Sequence, residues 1–548
     1  MGSTAEVTAT PTAPAQKSTV EQNVETQHFE VSPVAQGSLW HHRKGFGIAC
    51  LACLATTQYG MDYGLIGGLQ AMPGFLKVFG YKDPTSPIGW GIDSTVQQLI
   101  NSLMTVGAFA ACLCVGPLGK YIGRRAALFL GCILNHVGAI LMLASTEFAA
   151  LYASRVIIGL ANGLFMVETQ LYIQETSVPQ LRGALLAMYQ FCIAFGSILG
   201  SVVDNYTAPR PDRSAYLIPC GCLFIIPTFL MLTLPFMPET PRWLIDHDRH
   251  DEARRSLVTL RPSDTTNRMI QAELNEMVEA VRIERSLAQG IRLADMFHGT
   301  NKRRSILSIC LVLSLSATGN LFFIVYGTYF FAIAGENKPF QETVGMNCAG
   351  LAGVLISLYV VTKVGRRFLL LVGAAGQGLC MLIIGATYSS GDNSLAANRC
   401  LVAFVILHIF IYTMCTAPYL YLVAGEIPSN RLRSFTLGIA NAIGFLGAWL
   451  ISFTVPYFIN PQDLNWGPKY AWIWFGSNFA YFIFIFFFMP ETKDRTLEEI
   501  DEMFEKRVPA RKFKTYICME TNDARVAGSV AAQQAEEKPR ESQVEVMD

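Results

Sequence analysis

The chain has 548 residues, of which 51% are hydrophobic and only 15% are charged, and its formal net charge at neutral pH is zero. A soluble protein usually carries about 25% charged residues, so this composition argues against a soluble protein and indicates a membrane protein. The zero net charge gives no reason to expect nucleic acid as a partner.

The sequence also lacks the patterns typical of an enzyme. It contains eight histidines and fourteen cysteines, but no His or Cys pair with metal-ligand spacing lies in a predicted loop, and no nucleophile–base set or phosphate-binding loop is present. Most cysteines lie in apolar segments, where cysteine acts as a small hydrophobic residue. We therefore expect no catalytic residue, no metal and no cofactor apart from a coupling ion.

A polar tail at residues 1–45 opens the chain, and we predict that it is disordered. It lacks the basic region and the short apolar stretch of a cleaved signal peptide. The first apolar segment is therefore expected to direct membrane insertion itself.

Twelve apolar segments of about 20 residues follow, which is the length that crosses the hydrocarbon core as a helix. The first six form a predicted N-terminal bundle at 46–236, and the second six form a predicted C-terminal bundle at 304–489. The predicted spans are 46–68, 95–117, 126–146, 149–172, 184–204, 215–236, 304–333, 343–362, 368–388, 400–424, 434–456 and 470–489.

A charged segment at 237–303 joins the two bundles. Its apolar residues recur at helical spacing, which predicts short amphipathic helices; they are Leu257, Leu260, Ile270, Leu274, Met277, Val278 and Val281. A disordered tether is the alternative. The chain ends with a polar tail at 490–548, which we expect to be disordered from Asp523 onward.

The positive charges predict the orientation of the spans. An even number of spans leaves both termini on one side of the membrane. The tails, the 237–303 segment and the turns on that side contain 34 of the 42 Lys and Arg residues, and the opposite loops contain seven. Lys and Arg concentrate in cytoplasmic loops. We therefore expect both termini in the cytoplasm and the protein in the plasma membrane.

Three short motifs occur twice, in the same order and close to span ends. Gly-Arg-Arg occurs at 123–125 and 365–367, a Glu-to-Arg segment at 175–182 and 426–433, and Pro-Glu-Thr at 238–240 and 490–492. The chain is thus a duplicated unit of roughly 250 residues. Duplicated spans joined by charged turns are typical of transporters built from two parallel repeats.

Together with other segments, these motifs resemble the sugar porters of the major facilitator superfamily over residues 45–515. The other segments are 60–64, 155–159, 238–244 and 490–499. Asn465-Trp466-Gly467 and residues 508–513 are similar to fungal maltose and α-glucoside permeases. The resemblance implies an all-α membrane protein with twelve transmembrane helices in two parallel six-helix repeats, a cytoplasmic helical linker, and transport by alternating access.

The charged residues of the repeated motifs are candidates for a cytoplasmic gate. Arginines can bond carbonyls at helix ends and nearby acids, and Gly123 and Gly365 are expected to allow tight reversals between helices. Ionic ties of this kind would hold the two bundles together and break when that side opens. Solvated loop charge is the alternative. The candidates are Arg124, Arg125, Glu175, Arg182, Glu239, Arg366, Arg367, Glu426, Arg433 and Glu491.

Two opposite charges lie inside predicted spans, Asp62 in span 1 and Arg155 in span 4. Each lies about 24–26 Å from the cytoplasmic end of its helix at 1.5 Å per residue, so the two could pair. Charges at membrane depth are costly and point to function. Proton-coupled sugar porters have an Asp–Arg pair at these positions, so the resemblance implies proton-coupled symport. A static structural pair is the alternative, and Glu168 is a further candidate for the proton.

Five residues are candidates for solute contact, because amides can bond sugar hydroxyls and aromatic rings can stack on a sugar ring. They are Gln190, Asn320, Tyr326, Tyr421 and Phe445. Span 7 lacks both glutamines that the family has there, and Tyr421 and Phe445 stand where the family has tryptophan. These changes favour a larger or less polar solute, such as an α-glucoside, a polyol or a cyclic acid. Simple packing is the alternative role.

We therefore expect proton-coupled transport of a sugar or a sugar-like small molecule across the bilayer. Export of a secondary metabolite, or carriage of a polyol or cyclic acid, is the alternative on the same scaffold. A non-transporting sugar sensor is a third hypothesis, but such sensors have very long tails, and only 58 residues follow Pro490. The sequence leaves the direction of net flux and the oligomeric state open.

Overall fold

A computed structural model describes residues 41–84, 89–288, 293–390, 394–429, 432–493, 495, 497–516 and 518. The tails predicted to be disordered lie almost entirely outside these residues. Within the described part the protein is helical, apart from one hairpin of two short antiparallel strands, β1 Tyr81–Lys82 and β2 Trp90–Gly91.

The helices of the first half and of the linker are α1 Arg43–Leu69, α2 Pro73–Phe79, α3 Ser94–Ile122, α4 Arg124–Ala144, α5 Phe148–Thr176, α6 Pro179–Thr207, α7 Ser214–Cys222, α8 Ile225–Thr233, α9 Pro241–Asp246, α10 His250–Leu260 and α11 Asn267–Ala288. The helices of the second half are α12 Gly299–Ala317, α13 Asn320–Ile333, α14 Pro339–Lys363, α15 Arg366–Ser389, α16 Leu395–Ile411, α17 Ala417–Glu426, α18 Arg433–Ile459, α19 Ala471–Phe488 and α20 Leu497–Glu505.

Twelve spans account for most of these helices. Eleven segments of the described residues are long and apolar enough to cross a membrane. Helix α1, with 27 residues, is the remaining predicted span, and its buried face includes Thr56, Thr57, Gln58 and Asp62, which make it less apolar than the others. The predicted all-α membrane fold of twelve spans is confirmed, with several helices longer than predicted by a few residues.

Three of the predicted spans are interrupted in the structure. Span 7 breaks at Thr318 and Gly319, where Gly319 adopts a left-handed conformation with φ 77° that favours glycine. The Thr318 carbonyl, freed by this break, accepts a hydrogen bond from Asn478 Nδ2 at 3.0 Å. In span 10 a π-helical turn joins α16 to α17 just before Pro418, which has no N–H to donate. Span 6 is divided into α7 and α8 just before Pro227.

The two halves meet through equivalent helices. Helix α3, which is span 2, packs against α18, which is span 11, and α6, which is span 5, packs against α14, which is span 8. Spans 2 and 5 of one repeat thus face spans 11 and 8 of the other, as expected for two parallel repeats related by a pseudo-twofold axis along the membrane normal.

We call the ends of the spans next to the linker the linker end, and the opposite ends the far end. Hydrogen bonds that join the two halves lie toward the far end. Ser94 Oγ donates to the Asp463 carboxylate, and Asn460 Nδ2 donates to Ser94 Oγ at 2.7 Å. Deeper in the bundle, Asn347 Nδ2 donates to the Ser197 carbonyl at 3.3 Å. The halves are therefore tied together at their far ends in this conformation.

The linker forms the predicted amphipathic helices, α9 to α11. Its apolar side chains pack into a small core of their own, whose buried members include Trp243, Leu257, Ile270, Leu274 and Val281. The buried Arg261 pairs with Glu273 and donates from Nη1 to the Thr176 carbonyl at 3.0 Å. This bond fixes the linker to the end of span 4, so the disordered tether is excluded for the described linker residues.

Candidate functional site

Asp62 and Arg155 form an ion pair inside the first bundle. Arg155 Nη1 lies 3.0 Å from Asp62 Oδ1, and the two side chains are 0% and 1% exposed, respectively. The second carboxylate oxygen, Oδ2, accepts a hydrogen bond from Asn162 Nδ2 at 3.0 Å. Both oxygens of Asp62 are therefore bonded, which is what a buried carboxylate needs to remain charged.

Arg155 is held by three helices. Besides the Asp62 contact from α1, its Nε donates to the Ile100 carbonyl at 3.1 Å, and Nη2 approaches the Met104 sulfur at 2.7 Å, both on α3. Arg155 itself belongs to α5. Because the guanidinium is planar and rigid, neutralising or moving Asp62 would change how α1, α3 and α5 are joined.

The pair lies beyond the middle of span 1. Asp62 is nineteen residues after Arg43, the first residue of α1, and seven before Leu69, its last. At 1.5 Å per residue these separations are about 28 Å and about 10 Å. The distance to the linker end is thus longer than the 24–26 Å predicted, because α1 begins and α5 ends closer to the linker than predicted. The distance to the far end is nearly as predicted.

Tyrosine side chains from both halves lie next to the pair. Tyr59 and Tyr63 of α1 have ring centroids 4.8 Å apart. Tyr421 of the second half lies close to Tyr59, Tyr63 and Tyr189 of the first half. The Tyr421 side chain is 39% exposed although it sits between helices of both halves. This cluster therefore borders an accessible space between the bundles.

The predicted solute residues occupy different environments. Asn320, buried at the start of α13, has its side chain within hydrogen-bonding range of the Tyr412 hydroxyl, and Tyr412 is in turn close to Tyr421. Gln190 on α6 and Phe445 on α18 are half-buried. Asn320 and Tyr421 thus belong to one continuous group, which Tyr412 connects.

Tyr326 differs from the other four. Its side chain is fully buried, and its hydroxyl donates to the Ser452 carbonyl at 2.5 Å. The Asn101 side chain, from the first half, is within hydrogen-bonding range of the same hydroxyl. In this conformation Tyr326 joins helices of the two halves and presents no exposed surface to a solute.

The repeated charged residues of the first half form a compact network at the linker end. Glu239 accepts hydrogen bonds from the backbone N–H groups of Arg124 and Arg125, each at 3.1 Å. Arg124 makes two bonds to Glu175, and Glu175 also accepts a bond from Thr240 Oγ1 at 2.6 Å. Burial raises the pKa of Glu239, although the backbone N–H bonds it accepts oppose that change. The carboxylate thus caps the N-terminus of α4.

The second half repeats the arrangement. Glu491 accepts hydrogen bonds from the N–H groups of Arg366 at 2.9 Å and Arg367 at 3.2 Å, which cap α15. Thr492 Oγ1 donates to Glu426 at 2.5 Å. Arg366 approaches Glu426 at 3.7 Å, a looser contact than its counterpart in the first half. The second half is therefore joined more weakly at this point.

In this conformation both networks join helices of one half, and the ties between the halves described above lie toward the far end. The predicted ionic ties between the bundles belong to the opposite conformation and stay a prediction. One sequence-based expectation is corrected, because Gly365 has an ordinary φ of −67°, whereas Gly123 has φ 86°. Gly365 is needed for space, because a Cβ there would collide with the Glu491 carboxylate.

Two further gate candidates and Glu168 complete the linker end. Arg433 interacts with Glu426. Arg182 lies in α6, but its side chain is outside the described part of the structure. Glu168 is fully buried, and neither of its carboxylate oxygens has a hydrogen-bond partner. It interacts with Arg124, so it adjoins the gate network rather than the Asp62–Arg155 pair.

Sequence reasoning missed Asn162, Thr240, Thr492 and the tyrosines of span 1. Asn162 lies seven residues after Arg155, two helical turns along the same face, and that spacing was a usable signal. Thr240 and Thr492 follow the two repeated glutamates, so their shared role was also open to inference. Nothing in the sequence indicated that Tyr59 and Tyr63 would face Tyr421.

Comparison with known proteins identifies the family. The sequence profile described as "Sugar (and other) transporter" matches residues 48–504. The Major facilitator-type transporter ecdD of Aspergillus rugulosus is 33% identical, over 83% of this chain and 86% of that protein. Hexose transporter 2 of Kluyveromyces lactis is 30% identical, over 88% of this chain and 86% of that protein.

The fold also matches solved structures. The xylose transporter XylE from E. coli, in a partially occluded inward-open conformation, superposes with a TM-score of 0.67. The match covers 83% of this chain and all of that chain, at 19% sequence identity. At this identity the likeness establishes the major facilitator fold.

Proposed function

The chain belongs to the family of sugar and other transporters, and on that premise we propose that it carries a sugar or a sugar-like solute by proton-coupled symport. The family consists of secondary transporters rather than enzymes. Relatives named as a hexose transporter and as a low-affinity glucose transporter support a sugar as the solute.

The observation that carries the proposal is the buried ion pair of Asp62 and Arg155. A carboxylate at membrane depth is costly to keep charged, and here a single arginine and the Asn162 amide bond it. Protonation of Asp62 would remove its charge and weaken the bond that ties α1 to α5. A proton is therefore the ion that this site can take up while it changes the packing of the bundle.

Alternating access is the other part of the proposed mechanism. The halves are tied at the far end by Ser94, Asn460 and Asp463, and Tyr421 is accessible between them. We propose that the linker end faces the cytoplasm, so that this conformation presents its solute space to the cytoplasm. Opening the other way would break the far-end bonds and bring the gate networks of the two halves together.

The tyrosine cluster narrows the solute class within this proposal. The phenol groups of Tyr59, Tyr63, Tyr189 and Tyr421 lie together, and the half-buried Tyr59 and the exposed Tyr421 can offer a ring face and a hydroxyl group to a solute. Such a surface suits a ring with apolar C–H faces. The local resemblance at Asn465-Trp466-Gly467 makes an α-glucoside one candidate, and a polyol or cyclic acid is another. We propose the plasma membrane as its location, as for the uptake of such solutes.

The test is transport in cells that lack their own sugar carriers. Uptake and efflux of radiolabelled D-glucose, D-xylose, maltose, a polyol and quinate would be measured with and without a proton uncoupler. The proposal expects accumulation of at least one of these solutes and its loss when the uncoupler is added. Accumulation that the uncoupler does not affect, or efflux alone, would contradict proton-coupled uptake.

A further inference from the structure

Asp204 is a further buried acid in the first bundle, besides Asp62 and Glu168, and the proposed function does not use it. It lies in α6, three residues before the end of span 5 at Thr207. Its side chain is 1% exposed, and neither carboxylate oxygen has a hydrogen-bond partner. An ionised carboxylate without a partner in a protein interior is strongly disfavoured. Burial without a partner therefore favours the neutral form of this carboxyl group, which carries a proton.

Among the described residues, none that faces Asp204 would hold it charged. From α1, the Gly68 backbone lies so close that a Cβ at that position would overlap the carboxyl group. From α7, the thiols of Cys220 and Cys222 face it. Helix α14 contacts α6 through the uncharged amide of Asn347, which donates to the Ser197 carbonyl. Ser197 lies two helical turns from Asp204.

Cys220 connects this acid with the ion pair. Its thiol is close to Asp204 and also close to Asp62 and Arg155. Gly68, which touches Asp204, lies six residues after Asp62 in α1, which is about 9 Å nearer to the far end. Asp204 is therefore placed between the Asp62–Arg155 pair and the far side of the membrane.

We propose that Asp204 is a proton-relay group that loads Asp62 from the far side. This proposal rests on the proposed proton coupling. When the far end opens, water can reach Asp204 and enter beside Cys220; the carboxyl proton of Asp204 passes through this water to the Asp62 carboxylate. The resulting Asp204 carboxylate takes a proton from the far-side solution. One proton thus enters as one reaches Asp62, and no bond other than O–H forms or breaks.

The first test asks whether Asp204 carries a proton, and it needs no solute. Infrared difference spectra of the purified protein in lipid, taken between neutral and alkaline pH, record protonated carboxyl groups. Asp204→Asn has nearly the same shape as the neutral acid and should fold. We expect it to lose one protonated-carboxyl signal that the wild type shows.

Asp212→Asn is the matched control, because Asp212 is an exposed acid eight residues away at the same end of the bundle. It should leave the signal intact. Glu168→Gln can remove a protonated-carboxyl signal of Glu168 itself, but it should leave the Asp204 signal unchanged, because Glu168 lies at the linker end. Identical spectra for the wild type and Asp204→Asn would overturn the proposal, since Asp204 would then be ionised.

The second test addresses the relay in proteoliposomes, with D-glucose as the probe and internal pH as the readout. A positioned proton-transfer group contributes about 100-fold to a rate, so we expect Asp204→Asn to slow glucose-driven proton entry by about that factor while glucose counterflow continues. A wild-type rate of proton entry in Asp204→Asn would overturn the relay. If the wild type moves no protons with D-glucose, the proposed coupling to that sugar fails, and the infrared test alone decides whether Asp204 is protonated.

Discussion

Glu239 and Glu491 make the same contact in the two halves of the molecule. Each carboxylate lies beside a glycine and accepts hydrogen bonds from the next two backbone N–H groups, which begin α4 and α15. Each is followed by a threonine that donates to the acid at the end of another span. The sequence repeat is therefore a repeat of helix capping, and the charge of the glutamate meets the positive end of a helix dipole.

Loss of either capping charge is expected to destabilise the protein. Glu239→Gln and Glu491→Gln keep the shape but remove the charge, and each should lower the free energy of unfolding by about 1 kcal/mol, the usual worth of a capping group. Thermal unfolding of the purified protein in detergent measures the effect. Glu252→Gln is the control, since Glu252 is exposed and pairs with Arg249 three residues away. Equal melting temperatures for all three variants would exclude a capping role.

Asp62→Asn should abolish accumulation of solute against its gradient while it still allows exchange. Asparagine mimics the protonated carboxyl group, so the variant can complete the solute-exchange steps but cannot bind or release a proton. Counterflow and accumulation of the same radiolabelled solute would be compared at matched surface expression. Uncoupler-sensitive accumulation by Asp62→Asn would show that the proton is carried elsewhere, and Glu168 would then be the residue to replace.

Asn162→Ala should weaken coupling less than the loss of Asp62. The amide donates one of the two bonds that hold the carboxylate, and a hydrogen bond to a charged group is worth about 1.5–3 kcal/mol. We expect accumulation to fall roughly tenfold, with expression unchanged. Asn441→Ala is a suitable comparison, because Asn441 is a half-buried amide in α18 of the other half. An equal loss in both variants would point to a general packing defect.

Tyr421 should contact the solute through its ring, its hydroxyl group or both. Tyr421→Ala is expected to raise KM by about tenfold or more, since ring stacking and a hydrogen bond each contribute about 1 kcal/mol. Tyr421→Phe separates the two contributions, because it retains only the ring. Gln190→Ala tests the predicted amide contact in the same assay. An unchanged KM and rate in Tyr421→Ala and Gln190→Ala would remove both residues from the solute site.

We expect that the far-end hydrogen bond between Ser94 and Asp463 must break in each transport cycle. In the double variant Ser94→Cys and Asp463→Cys, a short bis-methanethiosulfonate, which joins the two thiols through reducible disulfide bonds, is expected to stop transport, and a reductant should restore it. Each single variant treated with the same reagent is the control for the native cysteines. Continued transport by a fully cross-linked double variant would show that the far end does not open.

Much of the architecture could be predicted because it depends on local features of the chain. Apolar segments of about 20 residues predict spans whatever surrounds them, and the three repeated motifs predict the two parallel halves. The contact between Asp62 and Arg155 could be anticipated because helix rise converts residue number into depth. The helical linker followed from the spacing of Leu257, Ile270 and Leu274, which all lie in its buried core.

The packing of helix faces could not be predicted in the same way. From the sequence, Glu239 and Glu491 could equally be ionic partners between the two bundles or helix caps within one half. Only the fold distinguishes these roles. Tyr326 looked like a solute contact, but in this conformation its hydroxyl is bonded to the Ser452 carbonyl. The sequence did not indicate that Asp204 is buried, because an acid close to the end of a span is usually solvated.

The sequence by itself determined the number of spans, their order, the duplication and the matching depth of Asp62 and Arg155, because helix length and rise are local properties of the backbone. Only the tertiary structure decided which acid is bonded and which is buried without a partner. Those environments depend on the rotation and contact of helices far apart in the chain. Asp62 and Asp204 are both acids in the same bundle, yet one faces Arg155 and Asn162 while the other faces a glycine and two thiols.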